Sequence, residues 1–196
     1  MNITIAGAGY VGLITGVCLS HRGRNVTIID VEESKINMLR QKKAPIYEKN
    51  LPELLEECGH RMLFTTSPEQ AYANADIVML ALPTPDRRDG SANLAYLYEA
   101  CRQIAAYSKN GCLIVVKSTA PIGTCDKIEY FLAENTSPGF FHVASNPEFL
   151  AQGSAVQGIQ PELSSAPRSL LLQKPYRAYT KALMSPLSQR TEKAPK

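Results

Sequence analysis

The sequence has no apolar run approaching the roughly 18 residues of a membrane-spanning helix, so no membrane association is expected. Its amino end is apolar but lacks a basic n-region, and Gly7, Gly9 and Gly12 break up what would be a signal core; a cytoplasmic chain is the expectation. There is no C-x-x-C pair. Cys18, Cys58, Cys101, Cys112 and Cys125 are scattered, which argues against a zinc site or a disulfide frame and for reduced, mostly buried thiols; no metal site is expected. No tyrosine is followed four positions later by lysine, and no Gly-Lys-Ser/Thr occurs, so the short-chain dehydrogenase and P-loop patterns are both missing. A basic patch with aromatic platforms is missing too. The net charge is +3, but up to Val156 there are 14 Lys and Arg against 16 Asp and Glu, and from Gln157 onward 7 against 2. A diffuse basic tail is a solvated end rather than a nucleic-acid surface, so no nucleic-acid partner is expected.

What is present begins at once. With 196 residues, 44% of them hydrophobic and 20% charged, the chain has room for one globular domain and part of another. Ile3-Thr4-Ile5-Ala6 leads into Gly7-Ala8-Gly9-Tyr10-Val11-Gly12, then an apolar helical stretch through Leu19, then Val26-Thr27-Ile28-Ile29 closed by Asp30. This is strand, glycine turn, helix, strand and acid. Gly7 lets the chain turn off the strand, Gly9 lets backbone N–H groups of Tyr10 and Val11 approach a pyrophosphate, and Gly12 lets the helix lie close on the sheet. The helix N-terminus adds a positive end for the phosphates. Asp30 is at the distance expected of a carboxylate that accepts the ribose hydroxyls, no Arg follows it, and Glu32 would repel a 2′-phosphate, so the cofactor is expected to be NAD rather than NADP.

The rest of the first 156 residues alternates strands and helices, predicting an α/β domain built as a Rossmann-type doubly wound parallel sheet. Residues 33–42 read as an amphipathic helix in which Lys35 either reaches the adenosine ribose or is a solvated lysine. Leu51-Pro52 opens a short helix, Met62–Thr65 is a strand, and Ser67-Pro68-Glu69-Gln70 is a helix start with a capping-box pattern. Ile77–Leu82 reads as a strand buried on both faces. It is stopped by Pro83-Thr84-Pro85, where Thr84 is either a ligand-facing residue or a turn residue between prolines. A helix over 94–107, a strand over 112–116, a helix over 126–133 and a strand over 140–144 follow. Thr84, Thr119 and Glu148 thereby fall at strand carboxyl ends, on the rim that the glycine turn also lines, which is where open α/β sheets bind ligands.

These motifs resemble the UDP-glucose 6-dehydrogenase group of nucleotide-sugar dehydrogenases. The matching segments are GAGYVGL at Gly7 to Leu13, PIYE at Pro45 to Glu48, LPTP and DGSANL at Leu82 to Pro85 and Asp89 to Leu94, KSTAPIGT at Lys117 to Thr124, and SNPEFLAQGSA at Ser145 to Ala155. The resemblance implies an NAD-dependent oxidation of a nucleotide-sugar alcohol to a carboxylate, through an aldehyde and a cysteine thioester, with UDP-glucose the expected substrate. It implies that Asp30 and Lys35 hold the adenosine ribose, that Thr84 and Thr119 line the nicotinamide side, and that Glu148 with Thr119 orders water near the reacting carbon. Phe149 and Leu150 would meet the nucleotide-sugar through their backbone. GDP-mannose and N-acetylated UDP-sugars remain open as substrates.

Two departures accompany the match. Where the family commonly carries a second Glu facing the cofactor, this chain has Gln152, which keeps the shape and loses the charge. Past Val156 the family pattern stops. The later catalytic Lys and Asn, the Gly-rich segment with the nucleophilic Cys, and the dimer surface of a usually homo-oligomeric family are expected to be missing. Gln157–Lys196, with Pro161, Pro167, Pro175, Pro186 and Pro195, reads as a low-order tail. A frameshift or truncation after Ala155 is the hypothesis; the parent gene read in its other frames should then continue the family sequence, and its absence there would refute the idea. Residues 1–156 are thus expected to bind NAD without turnover by this chain alone. The alternative is a non-catalytic NAD-binding or interaction module working with a separate chain.

Overall fold

The computed structural model describes residues 1–109, 111–137, 139–147 and 150–156; the expectations for Glu148, Phe149 and the 157–196 tail lie outside these residues. The strands are β1 (Asn2–Ala6), β2 (Asn25–Ile29), β3 (Met62–Thr65), β4 (Ile77–Leu80), β5 (Leu113–Val116) and β6 (His142–Ser145). The helices are α1 (Tyr10–His21), α2 (Glu33–Arg40), α3 (Leu51–Cys58), α4 (Pro68–Tyr72), α5 (Ala95–Tyr107) and α6 (Thr124–Asn135). All strands are parallel, in the order β3-β2-β1-β4-β5-β6. The chain winds outward from β1 in one direction and from β4 in the other. This is the doubly wound Rossmann-type sheet, with its switch point between β1 and β4.

Strand alternation divides the core into two. Ile3, Ile5, Val26, Ile28, Ile77 and Met79 pack on one face with α1, α2 and α3; Ala6, Ile29, Val78 and Leu80 pack on the other with α4, α5 and α6. Both faces are covered, so the strands are continuous apolar runs. α1 is buried all the way from Gly12 to Ser20 because it lies between the sheet and an outer layer that includes Leu51, Leu55, Ala155 and Val156. Gly16 allows the close approach: a Cβ there would stand 2.9 Å from Ile28 Cδ1 and 3.1 Å from Ile5 Cδ1.

Several element boundaries move by one or two residues, α6 among them at both ends, and three local expectations shift for an identifiable reason. β4 ends at Leu80, not Leu82, because the Leu82 N–H and carbonyl are both taken by the Ser118 hydroxyl instead of a strand ladder. β6 begins at His142, because Phe140 is held in a turn by its N–H bond to the Ser137 carbonyl and its carbonyl lies hard against Gly111. The start of α4 is capped as expected, Gln70 N–H donating to Ser67 Oγ at 3.4 Å, but the Gln70 side chain turns away to accept from Thr65 Oγ1 at 2.8 Å.

Candidate functional site

The carboxyl ends of the strands form one rim. At its centre Gly7, with φ of +107°, turns off β1 while its N–H still donates to Ile29 O at 2.8 Å. A side chain at Gly7 would meet Ala81 O at 2.4 Å, and one at Gly12 would meet Gly7 O at 1.9 Å. Both glycines are fixed by the protein's own packing. Gly9 differs: its backbone is extended, it is exposed, and a Cβ placed there has no atom within 4 Å. The space beside Gly9 at the start of α1 is therefore open to a ligand, in front of N–H groups that no helical carbonyl satisfies.

Asp30 follows β2 and faces the same turn. Its Oδ2 accepts from Ala8 N–H at 2.7 Å and its Oδ1 from Glu32 N–H at 2.9 Å, so one carboxylate shapes both the glycine turn and the approach to α2. Lys35 Nζ pairs with Glu32 at 2.7 Å. That hydrogen bond raises the lysine pKa, burial opposing and Asp30 adding to it, and the same contact lowers that of Glu32. Two carboxylates against one ammonium leave this end of β2 net negative, unfavourable to a 2′-phosphate. Val31, 93% exposed, offers an apolar surface beside them.

On the other side of the switch point, Thr84 Oγ1 donates to the Thr119 carbonyl at 2.7 Å. The two threonines are brought together, through the Thr119 backbone, while its side chain lies exposed. Ser118, which sequence reasoning passed over, ties the loops: its Oγ accepts from Leu82 N–H at 3.0 Å and donates to Leu82 O at 2.6 Å. Lys117, only 5% exposed, donates to Asn146 Oδ1 at 2.8 Å and anchors the start of the segment after β6. Of that segment, Leu150 is half-buried against the α1 side of the core and Gln152 lies in an exposed turn. Tyr10 and Val11 are half-buried at the start of α1, and the Tyr10 hydroxyl donates to Glu48 at 2.5 Å. Glu48, part of the PIYE segment, was given no role from sequence; its buried position was the missing signal.

A separate groove of about 420 Å³ lies at the amino ends of β1, β2 and β3, lined by Asn2, Asn25, His60, Arg61 and Asn74. Its polar groups bond one another, Asn2 Nδ2 donating to the Asn74 backbone carbonyl and Asn25 Nδ2 to Asn2 Oδ1. It is at the end of the sheet where such folds do not bind ligands, and we assign it no role in the site.

Residues 1–163 match the family model described as "UDP-glucose/GDP-mannose dehydrogenase family, NAD binding domain". The chain belongs to the UDP-glucose/GDP-mannose dehydrogenase family. It carries that family's NAD-binding domain. It is 45% identical over 159 residues to UDP-glucose 6-dehydrogenase YwqF of Bacillus subtilis, covering 80% of this chain and 36% of that protein. It is 37% identical over 162 residues to the UDP-glucose 6-dehydrogenase of Pseudomonas aeruginosa, again covering 80% and 36%. Among solved structures, a UDP-glucose dehydrogenase from Pyrobaculum islandicum superposes with a TM-score of 0.76 at 36% identity, covering 81% of this chain and 38% of that one. A GDP-mannose dehydrogenase from Pseudomonas aeruginosa gives 0.82 at 28%, covering 93% and 44%. The chain thus spans little more than a third of the length of the curated relatives it matches. Among the described residues no helix is long and apolar enough to cross a membrane.

Proposed function

We propose that this NAD-binding domain serves the oxidation of a nucleotide-sugar, UDP-glucose first among the candidates, and that the 196-residue chain alone binds NAD without turnover. The observation that carries the reading is the contrast among the three glycines: Gly7 and Gly12 are closed by the protein's own atoms, whereas Gly9 opens onto free space. NAD fits a rim with that opening, a helix N-terminus and a net negative β2 end. Asp30 and Lys35 hold the adenosine ribose, the backbone at Gly9, Tyr10 and Val11 meets the pyrophosphate, and Thr84, Thr119 and Gln152 line the nicotinamide side. Bound there, NAD supplies the hydride acceptor. Thr119 and Glu148 order water at the reacting carbon, and Glu148, Phe149 and Leu150 face the sugar nucleotide. The relatives' names as UDP-glucose 6-dehydrogenases support that substrate.

The absence of turnover rests on the thiols. Burial raises the pKa of Cys18 to about 11 and those of Cys101 and Cys112 to about 12; Cys58 and Cys125 are also raised, by burial first. A thiol nucleophile needs a lowered pKa and access, and none of the chain's five cysteines has the former. Calorimetric titration of the purified chain with NAD and with UDP-glucose separately tests the reading. NAD binding that Asp30→Ala abolishes, with little UDP-glucose binding, is expected. NADH formation from UDP-glucose by this chain would refute the inactivity, and no NAD binding would refute the reading as a whole.

A further inference from the structure

Glu48 has no part in that proposal, yet it is 3% exposed and collects donors from distant parts of the chain. Its Oε2 accepts from the Tyr10 hydroxyl at 2.5 Å and from Gly153 N–H at 2.8 Å; its Oε1 accepts from Ala155 N–H at 2.9 Å. One carboxylate thereby joins the first residue of α1, the loop before α3, and a segment more than a hundred residues further on. Charge-assisted bonds of this kind are stronger and shorter than neutral ones. The same segment is held at its start by Asn146, whose N–H donates to Val116 O at 2.9 Å and whose Oδ1 accepts from Lys117. Leu150 and Gln152 lie between these two anchors. Ala155, itself part of the second anchor, and Val156 pack into the core beside α1.

We propose that Glu48 is a positioning residue for the cofactor: without touching NAD, it fixes the Leu150–Val156 segment against the glycine turn and so sets the affinity for NAD. The proposal rests on the reading above, in which Tyr10 belongs to the pyrophosphate wall and Gln152 to the nicotinamide side. The packing of α3 against α1 has an apolar component of its own, in the fully buried Leu51 and Leu55. A general loss of stability and a loss of positioning are therefore separable.

The test uses the full chain and compares Glu48→Gln, Tyr10→Phe and, as a control for destabilisation away from the rim, Leu55→Ala. Two quantities are read well below every variant's melting temperature: NAD affinity by calorimetry, and amide hydrogen exchange at Gly153 and Ala155. Glu48→Gln places an amide NH2 against backbone N–H donors, so exchange at both amides accelerates and NAD affinity falls about tenfold. Tyr10→Phe removes the bond to α1 alone; affinity falls a few-fold while exchange at Gly153 and Ala155 stays near wild type. Leu55→Ala lowers the melting temperature but keeps NAD affinity within about twofold, as expected of a distant site. Wild-type affinity in Glu48→Gln, or an equal loss in Leu55→Ala, overturns the proposal. If Glu48→Gln does not fold, Tyr10→Phe decides, and unchanged affinity overturns it. If the wild type binds no NAD, the functional reading fails, and the exchange rates still judge the clamp: unchanged exchange in Glu48→Gln overturns it.

Discussion

At Gly9 a methyl group would enter empty space on an extended backbone that any residue adopts, so Gly9→Ala should leave the melting temperature unchanged and remove NAD binding. At Gly12 the same methyl would lie 1.9 Å from a backbone carbonyl that has no freedom to move away. Overpacking of this kind costs about 1–3 kcal/mol, and Gly12→Ala should reach the upper end, measured by denaturant unfolding. Glu48 adds a pH signature. The Tyr10 hydroxyl first, and then the N–H groups of Gly153, Ala155 and Val156, hold its carboxyl below the usual range. A depressed folded pKa means stability that is present above the ordinary Glu value of about 4.3 and is lost as pH falls through the folded value. Acid unfolding of the wild type should therefore lose a proton-linked component that Glu48→Gln lacks. Burial first, and Glu48 second, raise the Tyr10 pKa, so the phenol stays protonated as the donor throughout that range.

Between elements, the loop after β4 and the loop after β5 are joined by side-chain bonds where the ladder ends. Ser118 supplies the link by substituting its hydroxyl for a strand partner at Leu82, and the Thr84–Thr119 bond lies just beyond it. Ser118→Ala leaves the Leu82 N–H without this acceptor, costing about 1–3 kcal/mol and loosening Thr84; chemical denaturation should register the first and the NMR signals of Thr84 the second. α3 contributes differently, by covering a helix that is apolar on every side. Leu55, fully buried against α1, should cost about 2–5 kcal/mol on conversion to Ala.

At the scale of the whole molecule, the thiols lie almost wholly in the interior. Cys18, Cys58, Cys101 and Cys112 are buried within the sheet and its helices, and Cys125 is half-buried at the start of α6. Treatment of the native chain with iodoacetamide near neutral pH, followed by mass spectrometry, should label Cys125 first and the others only on unfolding. Rapid labelling of a second cysteine in the native state would contradict the burial that underlies the proposed inactivity. The curated relatives are nearly three times the matched length.

The parallel α/β class, the order of elements to β6, the turn at Gly7 and the close packing at Gly12 were legible in sequence because they depend on local patterns: apolar runs of strand length, a glycine spacing, a closing acid. Asp30, Thr84 and Thr119 were placed at strand ends for the same reason. Strand termini at Leu80 and His142 were not legible, since they depend on Ser118 and Gly111 meeting the chain from other elements. Nor was Glu48. A glutamate in a loop is usually solvated, and only folding brings Tyr10, Gly153 and Ala155 around it from 38, 105 and 107 residues away. Local periodicity is written into neighbouring residues, and so the sequence by itself determined the elements and the glycine turn at the switch point. The convergence of donors on one buried carboxylate depends on long-range packing, and that only the tertiary structure decided.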